Sequence, residues 1–186
     1  MATVFLIHGT FGNPQENWFP WLKVELEKKG HSVFAPAFPT PENQSLEQWL
    51  LLFQVYEGLV DQKTIFVGHS LGTAFLLSYL EQIKTPVRAC FFVAGFCSLL
   101  GNSRFDALNK TFVQKPFLFS DIRKKAKHFF VFHSDNDPYV PLATGKELAK
   151  NVGASLHIVK GAGHFNKASG YMQFPLLLGK ILLELK

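Results

Sequence analysis

Cysteine is nearly missing from this chain: there are two, Cys90 and Cys97, in 186 residues. Both sit among apolar neighbours, which reads as two buried thiols in a reducing compartment rather than a disulfide or a metal pair. No H-x-x-x-H or C-x-x-C spacing occurs, so no metal is expected. G-x-G-x-x-G and the P-loop pattern are also missing, so no cofactor is assigned. No apolar run is long enough to span a bilayer. The longest, "PLLLGKILLEL", is broken by Lys180 and Glu184 and reads as a buried amphipathic helix. The opening "ATVFLIHG" lacks a basic n-region and a small-residue cleavage site, so no signal peptide is expected and the expected location is the cytoplasm.

Clustered charge is scarce too. The formal net charge is +5, but the basic residues are scattered. The one dense run, Arg123-Lys124-Lys125-Ala126-Lys127, fits the solvated end of a short helix before a buried strand, so no nucleic-acid partner is expected.

What is plentiful is apolar: 47% of the residues, 20 of them Phe. That suits one domain over 1–186 with a proper core. Short apolar runs alternate with helical patterns. "TVFLIHG", "SVFAPAFP", "TIFVG", "VRACFFVAG", "HFFVFHS" and "SLHIVKG" read as six strands. Helices are expected between them: Trp18, Leu22 and Leu26 share one face of a helix closed by Gly30. A capping box at Ser45-Leu46-Glu47-Gln48 opens a helix to about Leu59. Further helices are expected over about Ser70–Ile83, Leu142–Val152 and Gly170–Leu185. Strands apolar on both faces imply a parallel sheet covered on both sides, a three-layer αβα sandwich. The segment from about 96 to 120 breaks the rhythm and reads as a small lid-like excursion.

In such sheets ligands bind beyond the carboxyl ends of the strands. Three chemically useful residues arrive there from different strands. Ser70 stands in Gly68-His69-Ser70-Leu71-Gly72, a G-x-S-x-G joint between strand and helix. The two glycines leave room for the tight turn that would project the hydroxyl outward. Asp137, ahead of Pro138, follows the fifth strand and is preferred to Asp135, which reads as a turn residue. His164, in "KGAGHF", follows the sixth. Serine needs a base near neutral pH, and that base needs an acid to orient it. An oxyanion needs backbone donors. Leu71 supplies one at the start of its helix, and Thr10 or Phe11 in "HGTFGN" the other, with nothing to choose between them. His8, Phe96, Phe105, Phe112 and Phe117 are candidates for an acyl pocket, ordinary core packing being the equal alternative for the phenylalanines.

"GHSLG", the "HG" after the first strand, "DNDPYVP" and "GAGHF" resemble the α/β-hydrolase superfamily. With "NWFPWLKVELEKKG" and "SLEQWL" the chain resembles the small serine hydrolases similar to retinoblastoma-binding protein nine and its bacterial relatives. The resemblance implies a trimmed α/β-hydrolase sheet in the order 2-1-3-4-5-6. It also implies a triad of Ser70, Asp137 and His164 acting on a small ester, amide or thioester. The namesake's L-x-C-x-E retinoblastoma-binding pattern is missing, since Cys90 and Cys97 lack the flanking Leu and Glu, so that partner is not carried over. The alternative to an enzyme is a protein-interaction module on the same fold, using the surface of the 96–120 segment.

Overall fold

The computed structural model describes residues 1–186. Its strands are β1 (Thr3–Ile7), β2 (Ser32–Phe34), β3 (Ile65–His69), β4 (Val87–Val93), β5 (Ala126–Ser134) and β6 (Ser155–Val159). They form one parallel sheet in the order β2-β1-β3-β4-β5-β6, as the resemblance implied. Helices α1 (Phe19–Glu27) and α7 (Pro175–Glu184) pack on one face. Helices α2 (Leu46–Phe53), α3 (Leu71–Gln82), α4 (Ser103–Val113), α5 (Phe119–Ile122) and α6 (Leu142–Val152) pack on the other.

The two-sided burial follows from the period of a strand. Phe5, Ile7, Phe66, Phe92 and Val131 point into the layer of α2 to α6. Val4, Leu6, Val67, Phe91 and Phe132 point into the layer of α1 and α7. A strand covered on both faces has to be apolar at every position, which is why these runs do not alternate. Each large side chain so buried contributes about 1.5–3 kcal/mol. Helix α3 is itself enclosed: every residue from Leu71 to Leu80 is buried. The joint between β3 and α3 is therefore set between two rigid elements.

Three boundaries differ from expectation. Ser45 Oγ does accept the Gln48 N–H at 3.2 Å, but α2 ends at Phe53 and tightens into a 3₁₀ helix over Gln54–Leu59. β-branched Val55 and Gly58 are poor α-helix formers there. Helix α1 stops at Glu27, short of Gly30. The last helix starts at Pro175 rather than Gly170. Proline lacks an N–H, suits the first helical position and disfavours helix in the residue before it.

The 96–120 segment carries α4 and leads into α5. The Asn102 side chain accepts the N–H groups of Arg104 and Phe105 at 3.2 Å each and so starts α4. Phe105 and Phe112, two turns apart on α4, serve different ends of it. No helix is long and apolar enough to cross a membrane.

Candidate active site

Ser70 sits at φ 54°, ψ −121°, a region that costs a non-glycine residue about 1–3 kcal/mol. The fold holds it there. Its N–H donates to the Val93 carbonyl on β4 at 2.9 Å. Glycine at 72 is demanded by space: a Cβ would strike the Ile7 carbonyl oxygen at the end of β1. Glycine at 9 lets the loop after β1 reach the serine, since a Cβ there would lie 2.7 Å from Ser70 Cβ.

Asp137 and His164 come together as expected. His164 Nδ1 donates to Asp137 Oδ2 at 2.8 Å, and the Asp137 side chain is wholly buried. Asp137 Oδ1 accepts the N–H groups of Tyr139 (2.9 Å) and Val140 (3.0 Å). Burial alone would raise the Asp137 pKa. The bond from His164, its charge and the two backbone donors outweigh this, and the carboxyl lies below its ordinary value. Asp135 is elsewhere: it accepts the Gly161 N–H at 2.8 Å.

Ser70 and His164 line one cavity of about 240 Å³, though no direct hydrogen bond joins them, as is common in unliganded sites. Thr10, Phe11, His8, Phe96 and Phe105 line the same cavity. Phe112 and Phe117 do not. Phe112 is fully buried in the main core with its ring 5.0 Å from Trp49, because it lies on the inner end of α4. Phe117 lies beyond α4, against Phe119 and beneath the Lys115 ammonium. Leu71 and Asp137 are not among the lining residues; Asp137 adjoins the cavity through its bond to His164.

The sequence pattern described as "Serine hydrolase" matches residues 4–183. The chain belongs to the serine hydrolase family. It is 32% identical to YdeN of Bacillus subtilis (strain 168) over 176 residues, 94% of this chain and 91% of that one. The crystal structure of the B. subtilis ydeN gene product superposes with a TM-score of 0.93, covering 99% of this chain and 98% of the other. Serine hydrolase RBBP9 of Rattus norvegicus is 29% identical over 149 residues, 80% of this chain and 77% of its own. A structure from work on carboxylesterases of Nitrososphaera gargenis shares the fold at 15% identity and a TM-score of 0.75, covering 98% of this chain and 90% of the other.

Much of what supports the site in this serine hydrolase was not apparent from sequence. Three buried histidines, one at or just after the end of β1, β3 and β5, each hold a loop by its backbone. His8 Nδ1 donates to Gly9 O at 2.9 Å, and its Nε2 accepts the Phe38 N–H at 3.0 Å. His69 Nε2 donates to His164 O at 2.8 Å. His133 Nε2 donates to Val140 O at 2.9 Å. Burial lowers the pKa of all three, that of His69 to about 3. Each is thus neutral, with its tautomer set by a carbonyl partner. Trp18 Nε1 donates to Phe165 O at 3.0 Å, beside the His69 contact. Asp135, Ser134 and Asn136 accept the N–H groups of Gly161, Ala162 and Gly163, stitching the acid loop to the histidine loop. The only sequence signal was that most of these groups lie at or just after strand ends.

Proposed function

We propose that this serine hydrolase cleaves small carboxylic esters, and by the same chemistry thioesters or amides, through an acyl-enzyme on Ser70. The observation that carries the reading is the 2.8 Å bond from His164 to a fully buried Asp137, beside the cavity that holds Ser70 in its strained joint.

His164 Nε2 takes the hydroxyl proton as Ser70 Oγ attacks the acyl carbon. Asp137 keeps Nδ1–H in place and stabilises the imidazolium. The tetrahedral oxyanion accepts from the N–H of Leu71, unpaired at the first turn of α3, and from the N–H of Thr10. Thr10 is preferred to Phe11 on geometry: the Phe11 N–H donates to Thr40 Oγ1 at 2.8 Å, whereas that of Thr10 donates to nothing in the chain. Collapse breaks the bond to the leaving group, which takes the proton from His164 Nε2. Water, deprotonated by His164, then attacks the acyl-enzyme; the acid leaves and Ser70 regains its proton.

Helix α4 serves as a small lid over this cavity. A fluorophosphonate probe tests the proposal. Labelling of native protein that disappears on denaturation and in Ser70→Ala is expected. A well-folded protein that stays unlabelled overturns it.

A further inference from the structure

A chain of polar side chains runs from the loop after β1 to α4. The Phe11 N–H donates to Thr40 Oγ1 (2.8 Å), and that hydroxyl donates to Gln44 Oε1 (2.6 Å). Gln44 Nε2 donates to the Leu108 carbonyl (3.0 Å) and to Asn109 Oδ1 (2.9 Å). Thr10 Oγ1 donates to the same Asn109 oxygen at 2.7 Å.

The order of these contacts settles which way each amide faces. A backbone carbonyl only accepts, so the Gln44 atom beside Leu108 O is the nitrogen. The Asn109 atom beside that nitrogen is then the oxygen, and it already accepts twice. Asn109 Nδ2, with its two hydrogens, faces away from the network and donates to no group of the chain.

That nitrogen is not sealed in. The buried side-chain nitrogens and oxygens without partners are on His31, Ser78, His133 and His157, and Asn109 is not among them. Yet Asn109 as a residue is only 2% exposed, and it lines the cavity that contains Ser70 and His164. A rigid donor pair, aimed by the bonds from Thr10 and Gln44 and left unspent at a nearly enclosed wall, has the character of a ligand contact.

We propose that the Asn109 amide is a specificity-determining donor, and that the preferred substrates carry an uncharged oxygen acceptor (ether, hydroxyl or carbonyl) close to the scissile carbonyl. This rests on the esterase reading above. Asn109 sits one hydrogen bond from Thr10, the residue assigned to the oxyanion. Its amide therefore meets the part of the ester that flanks the reacting carbon. A plain alkyl group there leaves the buried donor without a partner.

Matched esters test this. Para-nitrophenyl methoxyacetate and para-nitrophenyl butanoate differ by an oxygen in place of a methylene on the acyl side. 2-Methoxyethyl butanoate and butyl butanoate make the same exchange on the alcohol side. The readout is the ratio of kcat/KM within each pair, divided by the same ratio for a variant, so that intrinsic ester reactivity cancels. Asn109→Asp keeps the oxygen that Thr10 and Gln44 use and deletes the donor; Asn109→Leu deletes both. We expect the oxygen-bearing ester to lose about 3- to 10-fold relative to its partner in both variants, in one of the two pairs. A variant that slows both esters of each pair alike, leaving the ratios unchanged, shows a structural latch and overturns the proposal. If Asn109→Leu fails to fold, the near-isosteric Asp variant decides alone. If the wild type turns over neither pair, rates of Ser70 phosphonylation by the para-nitrophenyl methoxymethyl- and propylphosphonates give the same ratio. Loss of all Ser70 reactivity would overturn the esterase reading and this proposal with it; reactivity with unchanged ratios overturns this proposal only.

Discussion

His69 Nε2 donates to the backbone carbonyl of His164 at 2.8 Å, with the two rings 4.9 Å apart. The residue just before the proposed nucleophile thus holds the loop of the proposed base. The contact joins positions 95 apart in sequence. Burial, helped by the nearby His164, lowers the His69 pKa to about 3, so the ring stays neutral across the working pH range.

The bond predicts a positioning role for His69. His69→Phe keeps the ring and removes the donor, and it is expected to lower kcat about 10-fold with little change in KM. His69→Gln, which keeps an N–H at similar reach, should recover part of the loss. Steady-state kinetics on para-nitrophenyl butanoate decide it; an unchanged kcat in His69→Phe would count against the role.

The buried histidines predict acid-labile folding. His8, His69 and His133 have lower pKa values folded than their ordinary 6.5. Between these values the unfolded chain binds more protons, so stability is full above about pH 6.5 and falls as pH drops toward 3. Each histidine adds a slope of up to about 1.4 kcal/mol per pH unit. Asp137, also lowered, adds its loss below its ordinary 3.8. Urea midpoints should hold from pH 7.5 to about 6.5 and fall below it toward pH 4, less steeply in His69→Phe. A flat profile would refute the account.

Close backbone approach predicts two glycine phenotypes. In Gly72→Ala the new Cβ meets the Ile7 carbonyl, backbone that cannot step aside, so a loss of about 2–4 kcal/mol is expected in urea unfolding. In Gly9→Ala the Cβ lies 3.2 Å from Ser70 Oγ, and probe labelling should fall more than thermal stability does. Gly72→Ala with wild-type stability would show the joint to be looser than described.

Cavity size predicts acyl preference. About 240 Å³ is below the roughly 300–1,000 Å³ of sites for drug-sized ligands. Acetate and butanoate esters should be cleaved at least about 10-fold more efficiently than decanoate. Phe105→Ala, opening the wall where the Phe105 ring stands 5.8 Å from Tyr139, should narrow that gap. Equal cleavage of decanoate by the wild type would overturn the size argument.

Local pattern alone determined a good deal about this chain. Two-sided apolar runs separated by helical periods specified a parallel sheet covered on both faces. The spacing of Gly68, Ser70 and Gly72 between strand and helix specified a projecting serine. The order of strand ends put Asp137 and His164 on the same edge, while the strand order itself came from resemblance. These features are local, because period and turn chemistry act over a few residues. Tertiary structure decided the rest. It left the Thr10 N–H free by occupying that of Phe11 with Thr40, and it sent Phe105 to the cavity but Phe112 to the core. It also turned His8, His69 and His133 into backbone clamps and aimed the Asn109 amide. Each of these depends on which groups meet across the chain, as Thr10 meets Asn109 from 99 positions away, and no local period encodes such a meeting.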